Sequence, residues 1–418
     1  MTVTGPPPAA TRLPAGSPAQ VVDVDLERPY RFRAPGRPGY LRPEPPVLAL
    51  VRLRGRPLGL VHAEGERDGT AEELWRSVAD TARRRFALPE TAPAARGAPA
   101  ARPVSVVVAT HDRPAMLRDC LDSLLRQDHP RFEVIVVDNA PADDAAERLV
   151  RDHYAGRVRY VREPVPGLAH AHNRGLAEAR GEIAAFTDDD TLADPGWLTA
   201  LAGAFADDER IACVTGLIVP AELDTAAQVA LERHGGFGKG CAPRTWSLRH
   251  PPDDPLFPFT AGRFGSGTDM AFRATALRAL GGFDPATGTG TPAHGGDDLL
   301  AFFRILTAGH TLAYRPDAIV WHRHRRTRDA LEAQAFGYGA GLGAYLTGAL
   351  VHEPRMIWPL LRRLPRGVGH ALAQARRKAR ADTARSRRLA LLELRGLLYG
   401  PVGYLRSRHR NRARGPAA

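Results

Sequence analysis

The chain has 418 residues, enough to bury a large core and to hold two or three folded units. It carries 58 Lys and Arg against 46 Asp and Glu, a formal charge of +12. Only Lys239 and Lys378 are lysines, so the basic excess reads first as an arginine bias, and the three cysteines (Cys120, Cys213, Cys241), odd in number and without metal spacing, fit a reducing cytoplasm better than a disulfide framework.

Residues 1–20 are rich in Pro and Ala and are expected to be disordered. They lack the basic-then-apolar pattern of a signal peptide. Two apolar runs between Val47 and His62 flank Arg54-Gly55-Arg56-Pro57 and predict a hairpin. Ala71 to Arg85 places Leu74, Val78 and Ala82 on one helical face. Together they make a small accessory α+β unit over residues 21–90, of β-β-α type, that packs on the larger unit or on a second copy. A Pro/Ala-rich linker at 91–103 follows.

From Val104 the pattern changes. Val104–Thr110 and Phe132–Asn139 are near-continuous β-branched and apolar runs, separated by an amphipathic stretch carrying Leu117, Leu121 and Leu124. Ala145–His153 reads as a helix, Val158–Val161 as a strand, and Leu168–Arg180 as a helix. The alternation predicts a parallel, doubly wound α/β sheet with helices on both faces. The next strand, Gly181 to Thr187, ends in Asp188-Asp189-Asp190. Three adjacent carboxylates repel unless a cation lies near, and Mg²⁺ or Mn²⁺ takes a few carboxylates together with substrate phosphates. The bland reading is a solvated acidic turn. Asp194 is placed to cap the following helix, with Pro195 at its first turn. Asp297-Asp298 opens a further apolar helix, and Trp321-His322 closes a strand.

The C-terminal region, 326–418, is basic and helical. From His322 onward there are 21 Lys and Arg against 5 Asp and Glu. Phe336 to Val351 is uncharged but only 16 residues long with five glycines, short of the roughly 20 apolar residues of a span. Segments around Ile357, Trp358, Leu360, Leu361 and Leu364, and then Leu389 to Leu398, read as basic amphipathic helices. These either lie on an anionic membrane surface or pack on the main unit.

The motifs between about Val104 and Arg325 resemble family 2 of the inverting, nucleotide-sugar-dependent glycosyltransferases, with the Rossmann-like GT-A fold. The resemblance covers just over half the chain. It implies that Thr110 and Arg113 flank the base pocket and that Asp138 pairs with a uracil-type base edge. It puts Arg174 on the helix beside the diphosphate, Asp188 near the ribose and Asp189 within the donor site. Asp190 and His322 are the implied metal ligands, Asp269 lines the sugar side, and Asp297-Asp298 holds the catalytic base. Asp297 stands where the family usually has Glu, and Asp269 where it usually has Asn.

Inverting transfer needs a metal at the diphosphate and a carboxylate that takes the acceptor hydroxyl's proton from the opposite side. Asp298 is the expected base and Asp297 the residue nearer the helix cap. No Gln-x-x-Arg-Trp run of processive synthases occurs, so one hexosyl transfer per encounter is expected. The implied donor is UDP- or dTDP-linked. The implied acceptor is a saccharide or lipid-linked hydroxyl in cell-envelope, polysaccharide or glycolipid synthesis, at the cytoplasmic face of the membrane. Two other classes remain open: a degenerate fold binding nucleic acid or membrane through its basic tail, and a nucleotidyltransferase. The tail lacks interleaved aromatics, so no specific nucleic acid is expected, and the lack of a Gly-rich nucleotide loop with a basic residue near the first strand speaks against the nucleotidyltransferase.

Overall fold

The computed structural model describes residues 17–66, 69–88, 102–234, 236–363 and 384–414. Residues 1–16, most of the 91–103 linker and Leu364 lie outside the described residues, and with them the expectations made there.

Strands β1 (Gln20–Asp25), β2 (Val47–Leu53) and β3 (Arg56–Ala63) form a small sheet in that order, β1 parallel to β2 and β2 antiparallel to β3. The expected β-β-α unit is therefore β-β-β-α. β1 escaped the sequence because acids alternate with its valines. Asp23 is nonetheless buried, since Arg52 reaches it at 2.7 Å and Arg33 at 2.7 Å. Helix α1 (Ala71–Arg85) opens on a capping box between Thr70 and Glu73, which satisfies two otherwise orphaned backbone donors. Its Leu74, Trp75, Val78 and Ala82 cover one face of the sheet. The other face, through Val21, Leu48 and Leu50, packs on Leu192, Leu217 and Trp321 of the main unit. Arg52 also crosses that boundary to Asp194 at 2.5 Å.

The main unit runs β4 (Val104–Thr110), α2 (Pro114–Leu124), β5 (Phe132–Asn139), α3 (Ala145–His153), β6 (Val158–Glu163), α4 (Leu168–Glu178) and β7 (Ile183–Asp188). Its strands lie in the order β6-β5-β4-β7, all parallel. Alternate residues serve two cores: Val107, Ile135 and Val137 face α4, while Val106, Val108 and Val136 face α2 and α3. Burial on both faces is why these strands read as unbroken apolar runs.

The second half adds β8 (Thr191–Ala193), α5 (Trp197–Asp207), β9 (Ile211–Pro220), α6 (Ala226–His234), β10 (Arg244–Trp246), β11 (Met270–Arg273), α7 (Ala274–Ala279), α8 (Asp297–Thr307) and β12 (Thr311–His322). β11 enters antiparallel between β7 and β9, and β12 pairs in parallel with β9. Gly196, not Asp194, sits at the start of α5, and no side chain caps it. Asp194 is held by Arg52 instead, an ion pair between units that local sequence does not display.

Helix α9 (Arg328–His352) contains the uncharged stretch, and α10 (Ala384–Arg414) packs along it. The seam is made by Gly339 and Gly343 against Gly396 and Gly400. A Cβ at Gly339 would overlap the Glu393 carbonyl oxygen, and one at Gly396 the Phe336 carbonyl oxygen. Among the described residues, no helix is long and apolar enough to cross a membrane.

Candidate functional site

Parallel register brings three strand ends side by side. Thr110 is level with Asp138, and Ala109 with Asp188, so β4, β5 and β7 deliver their polar termini to one edge. Ligands of open α/β sheets bind at that carboxyl edge. A cavity of about 610 Å³ opens there, bounded by the triplet 188–190 and Arg113 on one side, and by Asp298, Lys239 and the α9 residues Tyr338 and Leu342 on the other.

The triplet is not a solvated turn, since Asp189 and Asp190 are buried. Thr110 donates to Asp189 at 2.7 Å, and Arg113 reaches Asp189 at 3.1 Å and Asp190 at 3.3 Å. Thr268 donates to Asp188 at 2.8 Å. Burial and the neighbouring Asp190 push the Asp189 carboxyl up to about 6. Burial would raise Asp190 as well, but His322, Arg325 and Arg113 outweigh it and hold that carboxyl below its ordinary range.

Asp190 Oδ1 is buried, makes no hydrogen bond among the described residues, and lies 3.3 Å from His322 Nε2. His322 Nδ1 is 3.2 Å from His324 Nδ1, and His324 Nε2 is 2.7 Å from Glu232. Burial alone would lower His322, but Asp190 outweighs it and favours the protonated ring, which pairs with the carboxylate; once His322 gives up that proton, with His324 donating to Glu232 and accepting from His322 Nδ1, the Nε2 lone pair turns toward Asp190. Two acceptors facing each other in a buried pocket suit a cation between them. The pair therefore fits a hard divalent ion by donor type, with two protein ligands. Among the described residues no group of three or more such side chains forms a fuller shell, so phosphate oxygens and water would supply the rest.

Across the cavity, Gly296 begins α8 in the left-handed region at φ 89°, where a Cβ would also strike the Gly341 carbonyl of α9. Asp297 turns inward, its Oδ2 facing His172 Nδ1 at 3.2 Å, and both side chains are buried. Asp298 faces the cavity. Its Oδ2 accepts from the Gly267 N–H at 2.7 Å and its Oδ1 from the Leu299 N–H at 2.7 Å. Burial, and then the nearby Asp297, push the Asp298 carboxyl up to about 7.

Thr110, Arg113, Asp188, Asp189, Asp190, Asp297, Asp298 and His322 thus border one cavity. Three other expected residues do not. Arg174 lies on the outer face of α4, half exposed and paired with Glu178 at 3.2 Å, because the inward positions of that helix are Ala171, His172 and Gly175. Asp269 is fully buried and points between strands; Trp197 Nε1 donates to its Oδ1 at 2.8 Å, and burial raises its carboxyl well above the ordinary value. Asp138 sits beneath the edge, buried, accepting from the Tyr160 hydroxyl at 2.9 Å and leaving Oδ1 without a partner among the described residues.

Sequence reasoning missed His172, Arg325, Thr268 and Lys239. His172 lies within the helix read from the sequence over Leu168–Arg180. Lys239 is one of two lysines and lies among glycines, a usable signal. The buried His322–His324–Glu232 chain had only its Trp-His-Arg-His spacing to announce it.

The family model described as glycosyl transferase family 2 matches residues 105–281. The pre-mycofactocin glycosyltransferase of two Mycobacterium tuberculosis strains is 30% identical over 341 residues, covering 79% of this chain and 63% of that protein. The uncharacterized glycosyltransferase EpsJ of Bacillus subtilis is 33% identical over 90 residues, covering 21% of this chain and 26% of that protein. The chain thus spans less than two thirds of the length of these curated relatives. A mannosyltransferase from Pyrobaculum calidifontis, solved with GDP-Man and Mn²⁺, is 23% identical. That superposition covers 75% of this chain and 88% of the other at a TM-score of 0.44, too loose to add to the topology above.

Proposed function

The chain carries a family 2 glycosyltransferase domain, and from that premise we propose that it moves one hexosyl unit from a nucleoside-diphosphate sugar to an acceptor hydroxyl, with inversion. The observation that carries this reading is the pair of separate acidic groups facing one cavity: Asp190 with His322 on one wall and Asp298 on the other.

Asp190 and His322 would hold Mg²⁺ or Mn²⁺, which supplies positive charge to a departing diphosphate. Arg113 and Arg325, both beside Asp190, add fixed positive charge on the same wall and orient the phosphates. The family resemblance, rather than the cavity lining, favours a UDP- or dTDP-linked donor: Asp138 lies beneath the cavity edge, and its buried Oδ1 would meet the N3–H of a uracil or thymine ring only if that edge opens. Asp298 removes the acceptor's proton as the hydroxyl attacks. A carboxyl that titrates at about 7 is well matched to that task near neutral pH. Asp297, buried with its Oδ2 3.2 Å from His172 Nδ1, faces away from the acceptor and leaves Asp298 as the carboxyl turned to the cavity.

Titration calorimetry with UDP, TDP and GDP, with and without Mn²⁺, tests the donor side. Mn²⁺-dependent binding of a pyrimidine nucleotide is expected. Binding of none of the three under either condition contradicts the proposal.

A further inference from the structure

Helix α10 has two apolar faces, and only one is covered. Leu389 and Tyr404 are buried against α6, α9 and the loop before α8, and Gly396 and Gly400 press on α9. On the opposite side Leu391, Leu394, Leu398, Val402 and Leu405 recur at spacings of three and four, one line along the helix. None is a packing residue: Leu394 is 52% exposed and Leu398 73%. Arg395 and Arg406 flank the line, Arg387 and Arg412 stand at its ends, and all four are exposed. A second apolar group lies nearby in sequence, at the helical stretch 357–363. There Met356 and Leu360 pack on the core while Ile357, Trp358 and Leu361 point outward, Trp358 at 66% exposure.

We propose that this outward face of α10 docks the protein onto an anionic lipid surface. Apolar side chains at helical spacing bordered by arginines satisfy both requirements of an interfacial helix: apolar area to enter the acyl boundary, and cations to meet anionic headgroups. A second copy of this chain fits the face less well. Two-fold pairing of identical stripes would set the arginine rim of one copy against that of the other. The lone acid of the described helix, Glu393, is on the α9 side, its carbonyl against Gly339. A phosphate-binding role alone leaves the leucines unexplained.

The position suits the cavity. Helix α9, to which α10 is locked by the glycine seam, presents Tyr338 and Leu342 at the cavity rim. Docking by α10 would set the lipid surface one helix layer beyond that rim. This goes beyond the transferase reading, and its test uses no sugar donor, so either can fail without the other.

The experiment is co-sedimentation of the full chain with phosphatidylcholine vesicles, with and without phosphatidylglycerol, alongside two paired variants. Leu394→Glu/Leu398→Glu removes apolar area, and Arg395→Glu/Arg406→Glu reverses the rim charge. All four positions are exposed, so thermal melts and Mn²⁺-dependent nucleotide binding should match the parent. The parent is expected to sediment with the anionic vesicles and to lose binding as salt rises, and each variant to bind on the order of tenfold more weakly or worse. Equal sedimentation of parent and variants, or no anionic preference in the parent, overturns the proposal. So does light scattering that reports a parent dimer dissolved by the leucine pair, because the stripe would then be an interface between copies.

Discussion

Asp269 offers the sharpest physical test, because its carboxyl is fully buried with no cation beside it among the described residues. One oxygen accepts the Trp197 indole N–H at 2.8 Å, and the other has no partner. The folded state should hold it protonated through a pH range in which the unfolded chain is ionised. In that range the native state binds one more proton than the unfolded state, so stability falls as pH rises, by about 1.4 kcal/mol per pH unit. Asp269→Asn keeps the shape and the acceptor for Trp197 but removes the proton. At about pH 4 the two proteins should differ by no more than about 1 kcal/mol, since each buries one imperfectly paired polar group. From there the variant should gain on the parent by about 1.4 kcal/mol per unit until the folded carboxyl ionises. Urea unfolding between about pH 4 and pH 8 reads the difference directly. A pH-independent gap between the two proteins would refute the reasoning, as would a variant that grows relatively weaker with pH. Transferase activity should survive, since Asp269 does not border the cavity.

Asp298→Asn should lower kcat by about 10² to 10⁴ with the fold intact, and the parent's kcat/KM should climb with pH and level off above about 7. A parent profile that is flat from about pH 5 to 8 contradicts the assignment. Arg52→Ala strips one of the two cations from buried Asp23 and the cross-unit partner from Asp194, and should cost about 3 kcal/mol in chemical denaturation. Loss of less than about 1 kcal/mol would mean that the boundary between units is not held by this arginine. Gly396→Leu should force α10 off α9 and lower the melting temperature by several degrees, about what 1–3 kcal/mol of overpacking produces, whereas Leu398→Ala on the open face should change it little. Equal melting temperatures for the two would refute the glycine seam.

The parallel strands were legible because a strand buried on both faces must be apolar throughout, and Val104–Thr110 and Phe132–Asn139 are. The acids at their edges were legible as charges that such a core would not otherwise tolerate. Side-chain direction was not. Asp269 lies just before β11, and only the antiparallel entry of that strand between β7 and β9 turns the carboxyl inward. Arg174 fell within a motif but on the wrong face of α4. Asp194 carried the composition of a cap, yet an arginine 142 positions away claimed it. Long-range pairs of this kind, including His172 with Asp297, leave no local periodicity. The amphipathic reading of α10 was partial for a similar reason: Leu389 and Leu391 look alike in sequence, and only the packing of α9 tells the covered leucine from the open one.

On the proposed reading two acidic groups in one cavity do different work, Asp190 holding the metal and Asp298 taking the proton. Titration of Asp190→Ala and Asp298→Asn with UDP in the presence of Mn²⁺ separates them. Asp190→Ala should lose the Mn²⁺-dependent binding while Asp298→Asn should bind as the parent does. Equal binding by both variants, or loss confined to Asp298→Asn, would contradict it.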